Sequence, residues 1–574
     1  MILLYFLTVL VYSVIGEVAD YGVLPDFKLT PLYLKEDKVL QLDNATFDDT
    51  IFGVESGQAG YLVEFYASWC GHCREFYPVY KNLGNDVYGW RNIVKIAAIN
   101  CADPVNLDVC RTHGIFFYPV IKYFPRAAID STGGLPISVK NSVSEMREQL
   151  TKAVMDDYAL HRYPDWPVFD FLNDVVSYNE LWNTTALSAS YIALIFEQSQ
   201  ASITGAQLLL DLSSNRQTLV ARRALKSHPL VDKLKLTDFP TFAIFKKESK
   251  EPVFVAEVRR LLFREIETFL GKPYYHFTDV NRNNQKKNFT DCFKFPELCK
   301  PNYFVSEVDL LKASRYALFR ETARKSAPLR TANLSALYEF TSLLADNFPT
   351  TTIDGAENDT LVHLDRSSRA VRVFSRLRDF LADHGLDNEL SIADWQKAFV
   401  DAETEAGNPF PLNTPWDHCA GSSHEFRGYT CGLWTTFHTL TVNAYRNYVT
   451  NMTNVTLPLP PLQAIRDWVG SFFGCDTCRN HFLKMTTDTF KLEANVRDPE
   501  DVFMYLWKAH NRVNARLHGQ KTEDPKFPKY QFPPKFLCED CNNKGALNET
   551  ATEEFLLDYY SRVKPFHQPT PGPI

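Results

Sequence analysis

The sequence predicts a multidomain protein, α/β in its front half and all-α in its rear half. Three observations lead there. At 574 residues the chain far exceeds the usual domain size of roughly 100 to 200 residues. Strand-like apolar runs alternate with amphipathic helices over 26–156 and again over 164–273, whereas beyond residue 307 apolar positions recur every three or four residues. Twelve cysteines fall into six close pairs, 70/73, 101/110, 292/299, 419/431, 475/478 and 538/541. Hydrophobic content of 45% and a formal net charge of -8 describe a folded, mildly acidic chain with no bulk attraction for nucleic acid.

In chain order, the apolar run Ile2 to Ile15, ending in Gly16 before acidic Glu17, reads as a secretory signal peptide over 1–16, with an uncleaved anchor as the alternative. That route permits glycans at eight sequons, Asn44, Asn183, Asn288, Asn333, Asn358, Asn451, Asn454 and Asn548. No later stretch reaches the roughly 20 apolar residues that cross a bilayer, and the end of the chain is Pro-rich. The expectation is a soluble, monomeric mature chain in the secretory pathway, in the ER or Golgi lumen or secreted. In that compartment the cysteine pairs favour disulfides over metal, and their spacings suggest redox pairs beside staples. Closing Cys101–Cys110 or Cys419–Cys431 contributes roughly 3 kcal/mol each by loop entropy. Cys292–Cys299 reads as a further staple, with a reactive pair as the alternative.

In the first domain, 26–156, a buried strand over 61–67 leads into Ser68-Trp69-Cys70-Gly71-His72-Cys73 and an amphipathic helix. The helix N-terminus and His72 favour a Cys70 thiolate, below the free value of about 8.5. Glu64 to Cys73, with Tyr118-Pro119 before the strand Val120 to Phe124, resembles the thioredoxin-fold domain of protein disulfide isomerases. The resemblance implies that Cys70 forms the mixed disulfide with substrate, that Cys73 resolves it, that Pro119 is the facing cis-proline, and that Glu64 shuttles the Cys73 proton. A partly solvated strand carboxylate and a trans edge-strand proline are the plainer alternatives.

The second domain, 164–273, repeats the alternation without any cysteine, and its Phe239-Pro240-Thr241 echoes Tyr118-Pro119-Val120. It looks like a second thioredoxin fold without redox chemistry, serving for spacing, docking or packing alone. The segment 275–400 opens on the polar, basic stretch 281–288 and continues with helical patterns over Glu307 to Arg324 and Leu334 to Leu344, a helical spacer.

The rear domain, 405–534, contains Phe473-Gly474-Cys475-Asp476-Thr477-Cys478, set in one helix-patterned stretch from about Leu462 to Met485. His481 follows Cys478 on the same face, which suits thiolate chemistry beside a cofactor. Half of a zinc site or a static staple are the bland readings. Trp434 and His438 lie one turn apart, as do His510 and Asn514, so two helices offer aromatic bodies with hydrogen-bonding tips suited to a flat heteroaromatic ring. Core packing is the alternative for either pair alone.

Together Leu-Trp-x-x-Phe-His, Cys-x-x-Cys-x-x-His and Trp-x-x-His-Asn-x-Val-Asn are similar to the FAD-binding four-helix domain of the Erv-type sulfhydryl oxidases. With the domain order, the chain resembles the quiescin sulfhydryl oxidase family over nearly its whole length. The resemblance implies two thioredoxin folds, a helical spacer and an FAD-binding four-helix bundle of Erv type. It implies FAD contacts from Arg427, Trp434, His438, His481, Trp507, His510, Asn511, Val513, Asn514 and Lys529, with Phe532 stacking where many relatives carry Trp. Thr477 stands where relatives often carry an acid, which puts its own flavin contact in doubt. The implied relay runs from reduced secretory proteins to Cys70–Cys73, then Cys475–Cys478, then FAD and molecular oxygen, giving hydrogen peroxide. An isomerase-like couple near about -180 mV gains about 1.4 kcal/mol per 30 mV of downhill step, so such coupling is effectively irreversible. Cys538–Cys541, in the tail 535–574, is either an accessory relay or a local staple. Two rivals stand beside this reading. One is an isomerase or reductase with a scaffold rear half; the other is a glycosylated binding protein with zinc on Cys475, Cys478, Cys538 and Cys541, which the 60-residue gap between the pairs disfavours.

Overall fold

The computed structural model describes residues 31–53, 59–126, 128–129, 133–173, 181–182, 189–258, 266, 290–325, 327–350, 365–423, 425–451, 459–543 and 546–566. The expected signal peptide, the basic stretch 281–288, and Asn183, Asn288, Asn358 and Asn454 lie outside them. Of the remaining sequons, Asn44 and Asn548 are exposed and Asn333 is half-buried; Asn451 ends a helix.

The first domain is a five-stranded sheet built from β1 (Leu40–Leu42), β2 (Gly60–Tyr66), β3 (Val94–Asn100), β4 (Val120–Phe124) and β5 (Leu135–Ile137), in the order β1-β3-β2-β4-β5. Every residue of β2 is buried, as a strand covered by helices on both faces requires. β2 is parallel to β3 and antiparallel to β4, with Glu64 opposite Ala98 and Ile121. Gly71–Asp86 follows β2 as a helix with Cys70 as its N-cap residue. The helix Val143–His161 closes the domain, capped by Ser142, whose hydroxyl accepts from Glu145 N–H.

The second domain repeats that order with β6 (Tyr191–Glu197), β7 (Leu219–Leu225), β8 (Thr241–Lys246) and β9 (Pro252–Glu257), arranged β7-β6-β8-β9. Its sheet carries a buried ion pair, Arg223 Nε to Glu197 Oε2 at 2.6 Å, and Glu197 also accepts Gly205 N–H. The two sheets are tied by Arg147, which binds Asp86 in its own domain and Asp211 in the second while lying over Trp90.

The rear half is helical, and the spacer is no separate body. Thr331–Asn347 of the spacer packs against Tyr429–Asn451 and Leu459–Phe472 of the bundle through Phe340, whose ring lies 4.9 Å from Trp468 and 6.0 Å from Phe437; Arg366–His384 packs on Thr331–Asn347 and Ile392–Glu405 on Arg366–His384. Ser391 and Asp365 cap two of these helices. The stretch 462–485, read from sequence as one helical run, is two helices, Leu459–Phe472 and Asp476–Lys484; Phe473 to Cys475 leave the helical path, which frees Cys475 to cap the second. The tail 535–574 carries the helix Glu549–Ser561, begun by the Asn548 side chain and packed on Tyr429–Asn451.

Candidate active site

Cys70 and Cys73 are fully buried and stand as two thiols, so the expected Cys70–Cys73 disulfide is open in this structure. Burial pushes the Cys70 thiol up, but hydrogen bonds from the Cys73 thiol and from the N–H groups of Cys73 and His72, with the Arg74 charge, outweigh it and hold Cys70 below the ordinary thiol value. Cys73 goes the other way, raised by burial, by its bond to Cys70 and by the charges of Cys70 and Glu64. The pair is therefore split into a nucleophile and a proton holder. Glu64, wholly buried, is raised to about 8 by burial against the lowering effect of its hydrogen bond from Tyr33, and its Oε1 has no partner. The Tyr118-Pro119 bond is cis, and the Tyr118 carbonyl lies 3.9 Å from Cys70 Sγ.

Cys475–Cys478 is closed, as are Cys101–Cys110, Cys292–Cys299, Cys419–Cys431 and Cys538–Cys541. Both pairs named in the zinc reading are thus disulfides, with no thiolate free for a metal. Cys475 is buried against the first domain. Tyr118 pairs with Cys475 in an isolated parallel bridge, its N–H donating to the Gly474 carbonyl at 2.9 Å. Thr477, inside the second Cys-x-x-Cys, shares a 2.8 Å hydrogen bond with Nδ1 of His72, inside the first. Trp69 stacks on Phe473 at 5.6 Å and donates to the Tyr316 hydroxyl at 2.7 Å. The two redox loops lie on each other.

Beyond Cys478 the helix Asp476–Lys484 turns once to Phe482, which packs on Trp434. Trp434 stacks on His510 at 4.1 Å and 8°, and His438 Nε2 meets His510 Nδ1 at 2.9 Å. Burial lowers His438 to about 3 and His510 well below its ordinary value, so both are neutral and exchange one hydrogen bond. Asn511 and Trp507 donate to the Phe532 carbonyl, and Asn511 Oδ1 accepts Phe532 N–H. Asn514 reaches Asn511 at 3.5 Å, and Val513 is half-buried in the core. Phe532 packs in an aromatic cluster with Phe555, Tyr559 and Tyr560. Arg427, at φ 60°, holds its guanidinium against His418 and over Phe527, with Nε buried and unpartnered. Lys529 is half-buried and lowered to about 8 by burial and by the charges of Arg427 and Arg74. These residues come together as an aromatic slab with a cationic end. His481 does not join them: it is exposed, lowered by burial first and then by the Arg516, Lys484 and His72 charges.

Several residues of this region carry no sequence motif. Tyr560, stacked on His438 at 4.7 Å, comes from the tail helix, and the one-turn spacing of Phe555 and Tyr559 was its only signal. Tyr33 at Glu64, and Glu321 and Arg324 at the loop junction, gave none.

A model of the Erv1 / Alr family matches residues 431–533, and a thioredoxin model matches 38–143. Sulfhydryl oxidase 1 of Rattus norvegicus is 32% identical over 567 residues, covering 95% of this chain and 69% of that protein. Sulfhydryl oxidase 1 of Cavia porcellus is 32% identical over 549 residues, covering 93% and 82%. Among solved structures, the sulfhydryl oxidase fragment of human QSOX1 is 30% identical and covers 46% of this chain and 98% of that one, with a TM-score of 0.39.

Proposed function

The chain belongs to the sulfhydryl oxidase family, and from that premise we propose that two dithiol centres work in series, Cys70–Cys73 collecting electrons from protein thiols and Cys475–Cys478 receiving them. The enzyme is a flavin-linked thiol oxidase that forms disulfides and delivers the electrons to oxygen as hydrogen peroxide. Because the match spans both halves, the reading of the front half as an isomerase on an inert scaffold is set aside. The observation that carries the two-centre reading is the Tyr118 to Gly474 hydrogen bond, which joins the cis-proline loop facing Cys70 to the residue preceding Cys475.

In the hand-off, the Cys70 thiolate attacks Cys475 Sγ. The Cys70–Cys475 bond forms as the Cys475–Cys478 bond breaks, and Cys478 leaves as a thiolate at the start of its helix. Cys73 passes its proton to Glu64, whose value of about 8 matches a carboxylate that takes and returns a proton near neutral pH. Cys73 then attacks Cys70, releasing the Cys475 thiolate; two electrons have moved and one disulfide is exchanged for another. Cys70 is fully buried at this junction, so a protein substrate meets it only when the two loops part.

The flavin is FAD in this reading, and the residues fit it. Trp434, His438 and His510 supply flat apolar faces, half-buried Arg427 and Lys529 supply cations for a diphosphate, and the Arg427 Nε has no hydrogen-bond partner among the described residues. Held by these residues, FAD would supply the acceptor for the electron pair of the Cys475–Cys478 dithiol and the route from it to oxygen. The aromatic cluster of Phe532, Tyr559 and Tyr560 covers the His438 end of that slab. Cys538–Cys541 lies apart, with Cys541 buried under the tail helix, which supports a local staple. Substrates are reduced secretory proteins, acted on in the lumen or outside the cell by a monomer; the staple disulfides persist in such compartments. No helix among the described residues is long and apolar enough to cross a membrane.

The test is the visible spectrum of the purified chain before and after anaerobic addition of a reduced, unfolded protein. A flavin band that bleaches is the expected result. A band that stays, with dithiothreitol still able to bleach it, refutes the link between the two centres.

A further inference from the structure

A third element holds the junction of the two redox loops. The helix Glu307–Arg315 continues through the π-helical turn Tyr316–Glu321, and the chain beyond brings Arg324 between the domains. The Arg324 and Glu321 side chains are 6% and 0% exposed and pair at 2.8 Å, Arg324 Nη2 to Glu321 Oε2, with Nε to the same oxygen at 3.0 Å. From that pair Arg324 Nη1 donates to the Phe116 carbonyl, two residues before Tyr118, while Nη2 donates to the Phe472 carbonyl, where the helix before Cys475 ends. Glu321 Oε2 accepts the Gly474 N–H at 3.0 Å. The guanidinium lies 5.5 Å over the Tyr118 ring. One side chain thus bonds the backbone of both loops, and its partner bonds the residue next to Cys475.

A buried ion pair is a poor source of net stability, because desolvating both charges offsets their attraction. It does fix geometry. Arg324 reaches both carbonyls only when Phe116 and Phe472 stand side by side, which is the arrangement that brings Tyr118 onto Gly474. Gly474 makes room for it: a Cβ there would sit 2.8 Å from Arg324 Cζ.

We propose that Glu321 and Arg324 form a positioning clamp that sets the register of the two redox loops for thiol exchange between Cys70 and Cys475. The clamp rests on the two-centre reading above and extends it to a residue pair in the helical spacer. It makes the spacer a working part of the relay.

The experiment is anaerobic flavin bleaching by the full chain under two reductants, a reduced unfolded protein entering at Cys70 and dithiothreitol reaching Cys475 directly. In Arg324→Gln the protein-driven rate should fall at least tenfold while the dithiothreitol-driven rate stays within twofold. In steady state kcat for protein thiols should fall with KM unchanged, because substrate meets Cys70 before the loops dock. Gly474→Ala should give the same pattern by displacing the guanidinium, and the double variant should lose no more than the worse single one; it also carries the test if Arg324→Gln does not fold. Equal rates in parent and variants, or equal losses with both reductants, would overturn the clamp while leaving the relay in place. A parent that bleaches with dithiothreitol but not with reduced protein would overturn the relay, and the clamp with it.

Discussion

Replacing Glu64 by Gln should stabilise the first domain at high pH and leave it nearly unchanged at low pH. The folded carboxyl is raised from its ordinary 4.5 to about 8, with burial as the main cause. The unfolded chain gives up that proton near 4.5, so between the two values the unfolded state binds fewer protons than the folded one and stability falls as pH rises. At about 1.4 kcal/mol per pH unit the cost is under ~0.5 kcal/mol at pH 4.5, about 3 kcal/mol at pH 7 and close to 5 kcal/mol at pH 9. Gln is the right probe because it mimics the protonated acid: its carbonyl can accept from Tyr33, and its amide takes the place of an oxygen already lacking a partner. Amide hydrogen exchange of β2 and β3 reads this domain regardless of the others, and comparing variant with parent at each pH cancels the intrinsic rate. Exchange from global opening should slow roughly 300-fold at pH 7 and roughly 3,000-fold at pH 9 in the variant, by the same conversion. Oxidation of reduced proteins should meanwhile drop by about 100-fold, since Cys73 loses its proton acceptor. A slowing of exchange that is equal at pH 4.5 and pH 9, or absent at both, would refute the buried-carboxylate argument.

Two further outcomes follow from the same geometry. Cys70→Ala should abolish activity on reduced proteins and keep activity on small dithiols, whereas Cys478→Ala should lose both, as read by oxygen consumption. Acid should destabilise the rear half: His438, lowered to about 3 by burial, stays neutral while the unfolded chain takes up a proton near 6.5, so stability falls as pH drops from 6.5 toward 3, by up to about 5 kcal/mol. The melting temperature of the flavin-bearing transition should fall over that range, and His438→Phe should flatten the dependence.

The relation between the two centres also gives the inert second domain a plain role. Its buried Arg223–Glu197 pair joins two strands of its own sheet, and Arg147 fixes the domain to the first through Asp211.

The sequence by itself determined the local chemistry. Cys-x-x-Cys at a strand-to-helix turn, Trp434 one turn before His438, and His510 one turn before Asn514 depend on contacts within a few residues, which helix and strand periodicity dictate. It also announced both sheets, because apolar runs such as Tyr61 to Ala67 have no other stable place than between layers. Only the tertiary structure decided what each centre faces. The break at Phe473 to Cys475 was hidden because its residues are as apolar as the helix before it, and Glu321 receives the freed Gly474 N–H only after the chain has folded. Thr477 and His72 meet across 405 residues of sequence, and Glu321 and Arg324 look like ordinary charges on a helix until two domains close over them. Periodicity reports which face of an element is apolar; which partner covers that face is settled by packing and desolvation among elements distant in the chain.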